Sequence, residues 1–267
     1  MGKNGGERLR GRRRAAAVAL AAAASVLTLA LAGAAPGVGP DDVLPNLVSD
    51  PPENPQLQTY LDGSTQRLLL RFDGFVHNSG LGPVEIRGQV PVNWQMTTRF
   101  QRISQSTGGS RDDASKSPLL IYENADGHQH WHLRAAARYM LFDETRSTEV
   151  APAMKTGFCL ADSEPVESGR PRVYTDPTWC EQFKPDAASV MMGISSGWRD
   201  RYPRHLPFQW VDVSDVRPGT YWLASEVDPD DVVIESDESN PIAFAGLPSV
   251  IPGYIAQPLA LNAAGRT

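Results

Sequence analysis

Cysteine is nearly absent from this chain: Cys159 and Cys180 are the only two in 267 residues. Two thiols cannot frame a small disulfide-stapled fold, so a hydrophobic core must supply most of the stability, and a chain of this length can bury one. Histidine is scarce too, with five residues, and aromatic side chains make up 8%. The body of the chain lacks internal repeats and shows few helix-length apolar patterns. It also lacks basic charge. Residues 1–34 hold six Lys or Arg and one Glu, which leaves 19 basic against 30 acidic side chains in the rest. Nucleic-acid binding by bulk charge is thereby excluded, and cationic partners suit the body better. A hydrophobic fraction of 41% with 21% charged residues excludes disorder throughout.

The one long apolar run follows the basic head. Lys3, Arg8, Arg10 and Arg12-Arg13-Arg14 precede an Ala/Leu/Val stretch from Ala15 to Ala34, where Ala32-Gly33-Ala34 offers a small-residue cleavage site. A positive segment, an apolar segment and such a site are the layout of a signal peptide, placed here at residues 1–34. A membrane anchor is the competing reading. The stretch is mostly alanine, however, contains Ser25 and Thr28, and runs into Pro36-Gly37. The expectation is a secreted, extracellular protein with no stable membrane insertion after signal removal. In an oxidising compartment Cys159 and Cys180 form one disulfide, worth roughly 3 kcal/mol in the chain-entropy view.

Residues 35–55 read as a proline-rich lead-in, with prolines at 36, 40, 45, 51, 52 and 55. Short segments rich in β-branched and aromatic residues follow: Arg67–Val76, Pro83–Arg87, Met96–Ile103, Leu119–Tyr122, His128–Leu133, Tyr139–Phe142, Gly157–Leu160, Gln209–Val213 and Thr220–Val227. Turn residues separate them, as in Asn78-Ser79-Gly80 and Arg217-Pro218-Gly219. The pattern predicts an all-β fold, a single antiparallel sandwich- or barrel-like domain with long loops. Ser104–Ser117 and Asp162–Thr178 read as mobile loops, and residues 248–267 as a loosely held tail.

Chemistry concentrates in three segments. In Gly127-His128-Gln129-His130-Trp131-His132, three of the five histidines stand at alternate positions. On a strand such positions share a face, which would align the imidazoles as ligands for copper, zinc, iron or nickel. The spacing does not choose the metal, and a solvated histidine-rich face is the plainer alternative. His77 and His205 stand alone and read as surface or hydrogen-bonded residues. In Met154-Lys155-Thr156-Gly157-Phe158-Cys159-Leu160-Ala161-Asp162 a lysine abuts an apolar segment with one cysteine; taken alone, Lys155 reads as a solvated strand end. Gly193-Ile194-Ser195-Ser196-Gly197-Trp198-Arg199-Asp200-Arg201-Tyr202 alone reads as a turn with a packing tyrosine.

As an ordered set these segments resemble the lysyl oxidase family. The similarity continues through Gln209-Trp210-Val211-Asp212-Val213-Ser214-Asp215-Val216, Pro218-Gly219-Thr220-Tyr221, Leu44-Pro45-Asn46-Leu47-Val48 and Leu68-Leu69-Leu70-Arg71-Phe72. It places a lysyl oxidase-like catalytic domain at residues 43–247. The resemblance implies a copper-dependent amine oxidase. Such an enzyme turns primary amines, whether lysine side chains or small amines, into aldehydes with molecular oxygen, releasing hydrogen peroxide and ammonia. It implies His128, His130 and His132 as copper ligands, and Lys155 with Tyr202 as the pair that forms lysyl tyrosyl quinone. Joining Lys155 to an oxidised Tyr202 ring needs the uncharged amine, whereas lysine ordinarily titrates at ~10.4, so burial or positive charge must favour that form. Asp200 matches a family aspartate and is the candidate base for the substrate proton, with a turn-capping aspartate as the plainer alternative. Glu235, Asp237 and Asn240 match a calcium motif of some members, and Asn46 with the Leu47 carbonyl would complete a split site. The Phe158-Cys159-Leu160 strand and the Gly193–Tyr202 turn are both expected beside the histidine strand. A non-catalytic copper-binding β domain is the second class of function; it needs the histidines but neither Lys155 nor Tyr202.

Overall fold

The computed structural model describes residues 37–124, 127–175 and 178–245, with the backbone alone of 249–251. The signal-peptide reading of residues 1–34 lies outside the described residues. Among these no helix occurs, and the strands pair antiparallel in three sheets, which bears out the all-β expectation.

The longest strand, Thr65–Asn78, organises one sheet. Its apolar run is near-continuous because both faces are covered: Leu68, Leu69, Leu70, Phe72, Phe75 and Val76 are all buried. Along its first half it pairs with Glu53–Asp62 and Trp210–Asp212. Along its second half it pairs with Leu47–Val48 and Trp198–Tyr202, the latter flanked in turn by Glu164–Pro165. A second sheet runs Gly157–Phe158, His130–Arg134, Leu120–Glu123, Gln95–Gln105, Val84–Val92, Ser189–Ile194. The third runs Glu149–Pro152, Ala137–Phe142, Gly219–Val227, Ala243–Phe244. One apolar cluster draws on all three, with Phe72 and Leu70 from the first, Trp131 and Phe158 from the second, and Tyr139 and Leu223 from the third.

Four segments depart from the sequence expectation. Glu53–Asp62 is a strand whose first residues were expected in the lead-in; it is polar and largely exposed, so no alternation marks it. The Gly193–Tyr202 turn is instead two strands in different sheets, and the chain crosses between them at Ser195–Gly197, where Gly197 has φ of +76°. Asp162–Thr178 is not a free loop. The buried Asp162 carboxylate accepts from the amides of Val173, Tyr174 and Ser195, at 3.0, 2.9 and 2.7 Å, and from the Ser195 hydroxyl at 2.7 Å. Ser104–Ser117 contains the strand Ser110–Asp113, which folds back on Gln95–Gln105. In the tail, Ser249–Ile251 pairs with Gly219–Tyr221.

Gly74 faces Tyr202 across the strand pair, and a Cβ there would lie 2.3 Å from the hydroxyl of the buried Tyr139. Neither the sheet nor a wholly buried ring can yield cheaply. The substitution Gly74→Ala is expected to cost ~1–3 kcal/mol through overpacking, lowering the melting temperature by ~2–4 °C for each kcal/mol. Thermal unfolding checks this, and a variant as stable as the parent contradicts it.

Candidate functional site

The regular histidine strand begins at His130, and Gln129 before it has φ of +53°. His128 therefore joins its neighbours across a backbone kink, a correction to the simple alternation expected from the sequence. The convergence itself holds: candidate ligand atoms of His128, His130 and His132 lie within 4.8 Å of one another, and Nε2 of His130 is 2.6 Å from Nε2 of His132. The edge of this strand is occupied by a neighbouring segment. The Trp131 amide donates to the Cys180 carbonyl at 3.0 Å, the Phe183 amide to the Gln129 carbonyl at 2.7 Å, and the Gln182 side chain to the His128 carbonyl at 2.7 Å. Trp131 points the other way into the core, where its ring donates to the Lys184 carbonyl at 3.0 Å.

Two observations test whether these residues fit a metal ion. A ligating imidazole must be neutral, and His132 is held so: burial first, then the charges of His130 and Lys155, push it down to about 2. Space is reserved beside it as well. Gly157 packs against His132 so closely that a Cβ would lie 2.8 Å from its Nδ1. Three imidazoles suit copper, zinc, nickel or iron, and the donor set fits.

Lys155 and Tyr202, 47 residues apart in sequence, meet. Both are buried, and Lys155 Nζ lies 5.1 Å from the centre of the Tyr202 ring and 5.3 Å from that of Phe158. The Tyr202 ring stands edge-on to Phe158, with centroids 4.9 Å apart. Phe158 sits beside the histidine strand, opposite Leu133, as expected. Trp198–Tyr202 does not; it pairs with Thr65–Asn78, and its inward side chains Asp200 and Tyr202 reach the site. Its hydroxyl donates to Asp200 Oδ2 at 2.6 Å and lies 3.1 Å from the Cys159 carbonyl. Asp200 also accepts from the Ser163 hydroxyl at 2.5 Å and the Ala161 amide at 3.1 Å. Burial pushes the Asp200 carboxyl up to about 7, against the lowering effect of those hydrogen bonds and of the Lys155 charge. Burial, with the Asp200 charge, raises the Tyr202 phenol well above its ordinary value. Lys155 and His132 line a common recess of ≈ 190 Å³. The sequence offered no signal for Ser163 or Phe208, which enter the site through the fold alone.

Cys159 and Cys180 form the expected disulfide. The residues singled out for calcium are partly assembled. Glu235 is buried, accepts from the Leu47 amide and receives the Asn240 side-chain amide at 3.0 Å. Asp237 instead accepts from the Ser239 amide and hydroxyl, and the Asn46 amide group donates to Ser79. It is the amide of Leu47, not its carbonyl, that meets the Glu235 carboxylate.

Comparison with known proteins bears on this arrangement. A sequence model of the lysyl oxidase family matches residues 84–247. Protein-lysine 6-oxidase of Sus scrofa is 32% identical over 203 residues, covering 74% of this chain and 73% of that protein. Protein-lysine 6-oxidase of Gallus gallus is 33% identical over 205 residues, 74% of this chain and 44% of that protein. Lysyl oxidase homolog 1 of Homo sapiens is 32% identical over 133 residues, 49% of this chain; the chain thus spans only 21% of that longer protein.

The buried carboxyl supplies a test. Because Asp200 holds its proton more tightly when folded than at its ordinary 3.8, its contribution to stability is full below about 4 and lost as pH rises through about 7. Asp228 and Glu235 shift in the same direction, to about 6 and about 8, so the wild-type curve alone is not diagnostic. Urea midpoints of wild type and Asp200→Asn, followed from pH 4 to 8, are expected to diverge, with wild type losing ground as pH rises. Parallel curves contradict the assignment.

Proposed function

The chain belongs to the lysyl oxidase family, and we propose that it is a secreted, copper-dependent amine oxidase whose quinone cofactor is made from Lys155 and Tyr202. The overall reaction joins a primary amine, molecular oxygen and water to give aldehyde, ammonia and hydrogen peroxide. The observation that carries this reading is the approach of Lys155 Nζ to 5.1 Å from the Tyr202 ring, beside a recess that His132 also lines. A non-catalytic metal-binding domain would need neither residue there, so the enzyme reading is favoured over it.

His128, His130 and His132 would hold the copper, which supplies the oxygen-dependent redox chemistry that prepares the Tyr202 ring for its bond to Lys155. The protein's own groups do the rest by position. Asp200 and the Cys159 carbonyl fix the phenol oxygen, and Phe158 fixes the plane of the ring. Burial of Lys155 and Tyr202 keeps water from competing for the ring. Asp200, with a carboxyl near neutrality, takes and returns a proton at the Tyr202 oxygen, and it is the candidate base for the substrate proton. Removal of residues 1–34 on export completes the mature chain. An accessory calcium ion at Glu235, Asp237, Asn240, Asn46 and the Leu47 carbonyl belongs to the same reading. It is supported by the contact that already joins Glu235 to Leu47, 188 residues apart.

Two measurements test these assignments. Protease digests of copper-loaded protein are expected to yield a crosslinked peptide containing both Lys155 and Tyr202. Tyr202→Phe removes the phenol to be oxidised, and Lys155→Arg presents a guanidinium that stays protonated, so neither variant should form the crosslink or oxidise amines. Both should still bind copper. Separate peptides from wild type that nonetheless makes hydrogen peroxide from amines would exclude the mechanism. For calcium, burial raises the Glu235 carboxyl to about 8, so an ion must displace its proton. Calcium should raise the melting temperature more at pH 8.5 than at pH 6, and not in Glu235→Gln. A melting temperature indifferent to calcium at both pH values removes the site.

A further inference from the structure

Among the described residues, the recess that brings Lys155 and His132 to the surface has one carboxylate on its wall, Glu123. Glu123 ends the strand Leu120–Glu123 and stands directly opposite His130 in the antiparallel register, which puts the two side chains on the same face of the sheet. It is half-buried. Among the described residues, Asp200 is committed to Tyr202 and Glu226 to Arg138. Among the described residues no side chain forms an ion pair with Glu123, and it does not belong to the group of candidate metal ligands formed by the three histidines. Apolar surface from Met154 and Phe208 completes the walls.

We propose that Glu123 is the positioning residue for the substrate, holding the ammonium head of an aliphatic primary amine against the site. This deepens the amine oxidase reading and rests on it. The argument is one of charge and shape. The carboxylate of Glu123 lines the same recess as Lys155 and His132. An incoming alkylammonium pairs with it, and its methylene stem lies along Met154 and Phe208. A volume of ≈ 190 Å³ admits the end of an aliphatic chain. The acidic body of the chain draws such cations toward the mouth, and Glu123 places them.

The test uses copper-loaded, mature protein and n-butylamine, with phenylhydrazine as a second probe. Phenylhydrazine is uncharged at neutral pH and reports the cofactor without needing an ammonium anchor. Glu123→Gln is expected to raise KM for n-butylamine about tenfold, as loss of a charged partner would, with kcat changed less than twofold. Its copper content, phenylhydrazine adduct spectrum and trapping rate should match wild type. Glu123→Asp should recover part of the KM. The KM of wild type should rise with salt, and that of Glu123→Gln should not. An unchanged KM overturns the anchor, and so does a fall in copper content, which would make Glu123 part of the metal site. If wild type gives no phenylhydrazine adduct, the oxidase reading itself has failed. The anchor is then decided by calorimetric binding of n-butylammonium to Lys155→Met, which removes the native cation. Binding there that is weakened about tenfold by adding Glu123→Gln sustains it, and equal binding by the two variants overturns it.

Discussion

Asp200 lies wholly inside the protein, and a carboxyl taken out of water must find donors there whether or not it is charged. Three converge on it, from the Tyr202 hydroxyl, the Ser163 hydroxyl and the Ala161 amide. Two come from the 161–163 segment and one from the strand of Asp200 itself, so satisfying one buried group pins the start of the 161–175 segment against the strand that carries Tyr202. The phenol oxygen then has a single place to be. Its ring is held edge-on by Phe158, which belongs to the histidine sheet, so the fixed oxygen and the fixed ring plane tie two sheets together at the site. The chemistry proposed for Tyr202 depends on this arrangement, because a ring that turned freely would lose its relation to Lys155.

The disulfide extends the same logic. Cys159 offers its carbonyl to the Tyr202 hydroxyl, while Cys180 offers its carbonyl to the Trp131 amide between two of the histidines. The covalent bond between the two cysteines therefore joins the backbone on which Tyr202 rests to the backbone that closes the edge of the histidine strand. Its value lies as much in that location as in the entropy it removes from the unfolded chain. The segment from Cys180 to Lys184 also meets the carbonyls of His128 and Gln129, where the strand is too irregular to pair with a neighbour.

Much of the site is legible in the sequence because its chemistry uses rare residue types in tight spacing. Three of five histidines within five positions mark the histidine strand, and Lys155, Asp200 and Tyr202 stand in segments whose order is informative. What is not legible is whatever arises from register and close approach. Gly157 is one glycine among 23, and only the fold shows that His132 occupies the space its side chain would need. Glu123 and His130 become neighbours through strand pairing, and Ser163 meets Asp200 only after the chain has turned back. The strand Glu53–Asp62 escapes notice for a different reason: its exposed, polar residues carry no periodic apolar signal, and prolines precede and enter it. The kink at Gln129 likewise has no residue-type cue, since glutamine seldom adopts positive φ.

The strand Thr65–Asn78 has a mechanical meaning beyond its place in the core. Fourteen residues at ~3.3 Å each make a rod about 46 Å long. One end is bonded to Glu53–Asp62 and Trp210–Asp212, the other to Leu47–Val48 and the strand of Tyr202. Segments bonded to one uninterrupted rod move as a single body, so there is no hinge along it about which the Tyr202 strand could swing open. The recess beside Lys155 and His132 is bordered instead by side chains, Met154 and Phe208, whose rotations are fast compared with the closing of a lid. A recess built this way yields locally, at the threshold, while the floor beneath stays still.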